Sequence, residues 1–246
     1  FDLIVDLRGN DRSRILSLMG ARQCYGYHQK SYHFYELDEH EKPFIREQSV
    51  LHRVTLNTLK SVPGFAMQWP VYEHRTGAHD NYIVLNMGSS PVWLSKRLPA
   101  QYWTAIAGYL YDRYAMPLVL SGNQNEREYI EAIAQSFPIP FENRAGQTDM
   151  DALKSLLQKA FLCVSTDSAA MHIAAVHHTP VIGLFGATNW IRSAPFGSWS
   201  KAVYSRTVYP QGIPPLKSLR EQGDYYRNIC IKGAVEKLSQ TGFLGF

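Results

Sequence analysis

Between residues 82 and 185 short apolar runs alternate with segments of helical period, and this alternation most constrains the fold. Tyr82-Ile83-Val84-Leu85-Asn86, Pro117-Leu118-Val119-Leu120, Phe161-Leu162-Cys163-Val164 and Pro180-Val181-Ile182-Gly183-Leu184-Phe185 are continuously apolar or nearly so. A strand without polar alternation is buried on both faces, which calls for a parallel sheet covered by helices on either side. Helices are expected from Pro99 through Tyr102, Ile106 and Leu110, from Glu126 to Gln135, from Asp149 to Lys159 and from Ser168 to Val176. Pro99 suits a first helical turn, where its missing N–H costs nothing. A sparser series precedes these elements. Leu3-Ile4-Val5 with Leu7 reads as a strand, and Ser13 to Met19 and Ser49 to Leu59 read as helices. Residues 28–48 lack a clear period and read as a solvated insertion, while Pro63-Gly64, Pro70 and Gly77 mark a linker. The expectation is an α/β chain of two Rossmann-like domains, residues 1–75 and 76–246, with the last helix able to pack back on the first domain. Because Phe1 already lies at the edge of a strand, the first domain is expected to lack an N-terminal piece.

Composition narrows the function classes. With 45% hydrophobic and 13% aromatic residues the chain is globular, and no apolar run approaches the ~18 residues of a membrane span. A net charge of +4 without any Lys/Arg block disfavours nucleic acid and suits an anionic substrate or an anionic membrane face. Cys24, Cys163 and Cys230 are far apart and odd in number, which fits a reducing cytoplasm better than a disulfide framework. The nine histidines include no H-E-x-x-H spacing, so no metal is expected.

In a parallel sheet ligands bind beyond the carboxyl ends of the strands. Four such ends carry polar groups here. Ser165-Thr166-Asp167-Ser168-Ala169-Ala170-Met171-His172 joins a strand to a helix start, where free N–H groups favour a phosphate; a well-capped helix is the plainer reading. Gly88-Ser89-Ser90 with Lys96 puts hydroxyls and a cation on one loop, able to hold a diphosphate or simply to be a polar surface loop. Ser121-Gly122-Asn123 leads to Glu126, for which first-turn complementation of the helix dipole is a sufficient role. Gly186-Ala187-Thr188-Asn189 is a fourth glycine loop, for which simple turn chemistry suffices. Together they read as a nucleoside-diphosphate site. Neither G-x-G-x-x-G nor a P-loop is present.

These residues resemble glycosyltransferase family 9, the ADP-heptose:lipopolysaccharide heptosyltransferases. The family's D-[ST]-G-x-x-H-x-A-A, followed by a Pro-led strand ending in [LF]-[FY]-G-x-T, is similar to Asp167-Ser168-Ala169-Ala170-Met171-His172-Ile173-Ala174-Ala175 and Thr179 to Asn189. Gly88-Ser89-Ser90 and Lys96-Arg97-Leu98-Pro99 resemble its G-[AT]-[ST] and K-x-[WL]-P segments, and Phe1 to Gly9 its [YF]-D-x-x-[IV]-D-x-[QR]-G. The resemblance implies a GT-B-like fold and inverting, metal-independent transfer of a sugar without a cofactor. The donor would be a nucleoside-diphosphate sugar, ADP-heptose favoured, and the acceptor a lipid-linked saccharide of the lipopolysaccharide core, met in the cytoplasm or peripherally at the inner membrane face. Carried over by position, Ser89, Ser90 and Lys96 hold the diphosphate, and Lys96 offsets charge on the leaving group. Glu126 faces the nucleoside, Asp167 and the backbone at Ser168 and Ala169 meet the donor sugar and phosphates, and His172 steadies the loop or touches phosphate. Ala169 stands where the family has glycine, so its methyl narrows the approach of phosphate to the backbone. The family's general base lies upstream of Phe1; Asp6 and Asp11 match no motif, and the base is unassigned. A nucleotide-sugar-binding protein without catalysis, or another GT-B enzyme such as a sugar-nucleotide epimerase, are the alternative readings.

Overall fold

The computed structural model describes residues 3–6, 23–26, 33–34, 79–89, 91–215 and 219–244. The chain divides into two compact units, Phe1–Val71 and Tyr72–Phe246. In the first, β1 (Leu3–Asp6), β2 (Gln23–Gly26) and β3 (His33–Phe34) form a parallel sheet in that order. The helices expected at 13–19 and 49–59, the linker near Pro63 to Gly77 and most of the 28–48 insertion lie outside the described residues.

The second unit is built on a six-stranded parallel sheet. Its strands are β4 (Ile83–Asn86), β5 (Leu118–Ser121), β6 (Phe141–Asn143), β7 (Leu162–Thr166), β8 (Val181–Phe185) and β9 (Ser200–Tyr204), arranged β6-β5-β4-β7-β8-β9. Numbered within the sheet this is the 3-2-1-4-5-6 order of a dinucleotide-binding fold, with the order reversing between β4 and β7. Described helices are α1 (Ala100–Tyr114), α2 (Arg127–Ala134), α3 (Met150–Lys159), α4 (Ala169–Val176), α5 (Trp190–Ser193) and α6 (Lys232–Gln240).

The continuous apolar runs split by parity, as period two requires. Ile83, Leu85, Leu118, Leu120, Leu162, Val164, Ile182 and Leu184 face one core, closed by Trp103, Ile106 and Leu110 of α1, Ile130 and Ile133 of α2, and Val235 and Leu238 of α6. Val84, Val119, Cys163, Val181 and Phe185 face the other, closed by Leu156 and Leu157 of α3 and by Ala170, Met171, Ala174 and Ala175 of α4. Right-handed crossovers explain the assignment: the chain moves one way along the sheet from β4 to β6 and the other way from β7 to β9, so α1 and α2 fall opposite α3 and α4. Burial pushes the Cys163 thiol up to about 12, so it acts as an apolar core residue.

The α/β class and parallel sheets agree with the sequence reading, with three local differences. The helix expected from Glu126 opens as a 3-10 turn, Gln124–Glu126, before α2. Pro99 is the N-cap of α1 rather than its first residue. Strands β2, β3, β6 and β9 and helix α5 carry too short or too polar a pattern to be read in advance, β3 falling within the stretch 28–48 expected as an insertion; Phe141-Glu142-Asn143, for example, is a half-exposed edge strand.

Candidate active site

The reversal of strand order opens a crevice, because the loop after β4 runs to one face of the sheet and the loop after β7 to the other. Register places a polar residue at the same level on three neighbouring strands: Asn86 is opposite Ser121 on β5 and Ser165 on β7. The Ser121 hydroxyl donates to Asn86 Oδ1 at 3.0 Å. Asn86 Nδ2 in turn donates to Ser165 Oγ at 3.1 Å and to Ser168 Oγ at 2.8 Å. Thr166 Oγ1 donates to the Gly88 carbonyl at 2.7 Å, tying the β4 loop to β7. Asn86, Ser121, Ser165 and Thr166 are buried, so these bonds satisfy groups that would otherwise be costly in the interior.

Above this floor lies a cleft of about 260 Å³, lined by Asn86, Gly88, Ser89, Glu126, Ser168, Ala169 and Ala170, with Thr148, Asp149, Met150 and Leu153 along one wall. Glu126 is only 3% exposed. Its Oε2 accepts from the Asn123 N–H at 2.7 Å while Asn123 Oδ1 accepts from the Asn125 N–H at 2.9 Å, a reciprocal cap. The carboxylate is wedged beside Gly88, where a Cβ would stand 2.0 Å from Oε2. Ser89 lines the cleft, but its hydroxyl donates to the Trp93 carbonyl at 3.0 Å and holds the following turn.

Helix α4 starts at the cleft. Ser168 occupies the N-cap position with extended backbone, yet no side chain caps the helix. The plain reading of a well-capped helix therefore does not hold: the Ser168 hydroxyl is committed to Asn86 and lies 3.1 Å from Ser165 Oγ, and the first-turn N–H groups have no side-chain partner. Beside them Lys96 Nζ pairs with Asp167 Oδ2 at 3.0 Å, with side chains 18% and 11% exposed. The Lys96 ammonium also lies 5.2 Å from the centre of the Trp93 ring, against which the Arg220 guanidinium rests at 5.1 Å. From the core side, Tyr226 donates its hydroxyl to the Lys96 carbonyl at 2.8 Å.

His172 lies one turn into α4 and faces solvent on one side. The protein crowding its other side holds its pKa below the ordinary value, an effect that Asp167 opposes and Lys96 reinforces. The imidazole is therefore neutral at pH 7, a hydrogen-bonding group rather than a cation.

Of the residues singled out from sequence, Ser89, Glu126, Ser168 and Ala169 line the cleft, Lys96 and Asp167 form a pair next to it, and His172 on α4 lies within the electrostatic influence of both members of that pair. Ser90 lies outside the described residues. The sequence reading missed Asn86 and the wall from Thr148 to Leu153. The legible signal for Asn86 was an amide ending a wholly apolar strand; the wall carried none, because it comes from a helix start distant in sequence. Among the described residues no three His, Cys, Asp or Glu side chains gather to hold a metal ion.

A family model, glycosyltransferase family 9 (heptosyltransferase), matches residues 1–212. Lipopolysaccharide heptosyltransferase 3 of Escherichia coli is 27% identical over 69% of this chain and 50% of its own length. Lipopolysaccharide core heptosyltransferase OpsX of Haemophilus influenzae is 36% identical over 32% of this chain and 23% of its own. The chain thus spans half or less of the curated relatives it matches. Among solved structures, a family 9 glycosyltransferase of Veillonella parvula superposes with a TM-score of 0.69 at 16% identity, over 99% of this chain and 74% of that one. The E. coli ADP-heptose lps heptosyltransferase II superposes at 0.68 and 18%, over 99% and 76%. At these identities the structural likeness speaks for the fold.

Proposed function

This chain belongs to glycosyltransferase family 9, and on that premise we propose that it moves a sugar from a nucleoside diphosphate to a lipopolysaccharide core saccharide, with heptose from ADP-heptose the favoured donor. The observation that carries the reading is the uncapped start of α4 beside the Lys96–Asp167 pair, at the point where strand order reverses. A diphosphate there meets backbone N–H groups at the positive end of a helix and a neighbouring ammonium. The nucleoside lies along the wall of Glu126, Met150 and Leu153.

The reaction is a direct displacement. The acceptor hydroxyl bonds to the anomeric carbon from the face opposite the diphosphate, the bond from that carbon to the phosphate oxygen breaks, and the configuration inverts. The hydroxyl proton passes to a base, which stays unassigned. Charge gathering on the departing nucleoside diphosphate is met by Lys96 and the α4 N–H groups, so the step proceeds without a divalent metal. Asp167 holds the Lys96 ammonium in place for that task. A lipid-linked acceptor puts the enzyme at the cytoplasmic face of a membrane, where a mildly basic chain is drawn to anionic lipid.

The test is release of ADP from ADP-heptose, dependent on a heptose-deficient lipopolysaccharide core. Lys96→Ala is expected to lower turnover about 100-fold, the scale of losing one donor at a developing oxyanion. ADP should raise the melting temperature, a ligand at 100 times its dissociation constant adding about 2.7 kcal/mol. Stabilisation by UDP or GDP in place of ADP overturns the choice of heptose donor. Binding of ADP with no transfer to any core acceptor makes the chain a nucleotide-sugar binder, and no response to any nucleotide removes the donor site altogether.

A further inference from the structure

We infer that Asn86 is a positioning residue of the donor site: its buried amide draws the Ser168 hydroxyl away from the start of α4 and so keeps that helix end open for the diphosphate. The inference rests on the donor site proposed above and assigns what holds it in its binding form.

The direction of each bond in the network is determined by chemistry. Asn86 Oδ1 accepts from Ser121, so the amide nitrogen is turned toward β7, where it donates to both Ser165 and Ser168. Ser165 donates to the Thr166 carbonyl at 2.8 Å and completes the row. A serine at an N-cap ordinarily accepts from the N–H two or three residues on. Asp149 does this for α3, accepting from the Ala152 N–H at 2.8 Å. Ser168 has the backbone conformation for the same bond, φ −146° and ψ 169°, but its hydroxyl is turned toward the Asn86 amide and Ser165 and makes no cap bond. Without that amide the Ser168 hydroxyl keeps only its 3.1 Å contact with Ser165, and turning to the first turn of α4 it competes with a phosphate oxygen for the same N–H groups. Asn86 itself lines the floor of the cleft and is 5% exposed, so it acts through Ser168.

A cycle of Asn86→Ala, Ser168→Ala and the double variant separates positioning from mere structural support. The readouts are the ADP dissociation constant and the melting temperature of the full chain. Asn86→Ala is expected to weaken ADP binding about ten-fold, the scale of one hydrogen bond gained by the helix and lost to the ligand. The double variant, which has no hydroxyl to recap the helix, should bind ADP as Ser168→Ala does while melting as low as Asn86→Ala. Should the alanine variant not fold, Asn86→Thr serves: threonine suits a strand, can still accept from Ser121, and is too short to hold Ser168. Unchanged affinity in the Asn86 variants overturns the inference, and so does a double variant that binds as weakly as the Asn86 single. Failure of the wild-type chain to bind ADP overturns both this inference and the donor site beneath it.

Discussion

The loops that follow β4 and β8 look alike in sequence, each a glycine and small polar residues after a buried apolar strand, but they end in opposite states. Gly88 is itself tightly packed, with the Glu126 carboxylate against it and Thr166 donating to its carbonyl at 2.7 Å, but its loop lines the cleft with Ser89 on the rim. Gly186 is sealed. Tyr209 donates to its carbonyl at 2.6 Å, a Cβ there would stand 2.7 Å from the Tyr226 ring, and the Leu219 N–H closes on the Ala187 carbonyl at 2.8 Å. The difference follows from topology. Helices α4 and α5, after β7 and β8, place their buried residues in the same core, so those two loops leave together and aromatic side chains fill the space beside them. The loops after β4 and β7 diverge to opposite faces, and the cleft lies between them. A glycine at a strand end thus marks close packing; only the neighbouring crossover decides whether its loop lines an open cleft or is covered by aromatic side chains.

That contrast can be broken by a matched pair of substitutions, which should also give the largest effect. Gly88→Ala forces a methyl to 2.0 Å from Glu126 Oε2, displaces the carboxylate from the Asn123 N–H and should abolish stabilisation by ADP. Gly186→Ala is expected to lower stability by about 1–3 kcal/mol, a typical overpacking cost, while the ADP response survives. Melting curves with and without ADP decide it, and equal loss of response in both variants would show that the two loops do not differ as described. A smaller change sharpens the sealed side. Tyr226→Phe removes a buried hydroxyl bonded to the Lys96 carbonyl, which should cost about 1 kcal/mol in urea unfolding and leave the ADP dissociation constant nearly unchanged.

The smallest effect is expected from pH. His172 and His177 both have folded pKa values pushed below the ordinary 6.5, in each case first by burial. As pH falls below 6.5, the unfolded chain binds protons before the folded one does, so stability is full above that value and declines through the window between it and the lower folded pKa values. His172→Gln should flatten part of this decline in thermal melts between about pH 5 and pH 7.5. A slope identical to wild type would mean that His172 titrates alike in both states.

The α/β class was legible because a strand buried on both faces must be apolar at every position, a property visible without knowing its neighbours. Lys96, Asp167 and Ser168 stood out for a similar reason: they lie in loops that follow strand ends, where ligands of parallel sheets bind, and strand ends can be read. The second unit shows where that reading stops. Nothing in the order of the residues told which of four polar loops would stay open, or that Asn86, Ser121 and Ser165 would lie at one level, since both depend on strand order and register across the sheet. Local chemistry could nominate Ser168 as a helix cap, but the fold set against it an amide 82 positions away in sequence and gave its hydroxyl another partner. Periodicity and strand-end chemistry are written in neighbouring residues and were determined by the sequence alone. Which hydrogen bond a side chain makes, and which gap is left unfilled, is a competition among residues that only the tertiary structure brings within reach of one another.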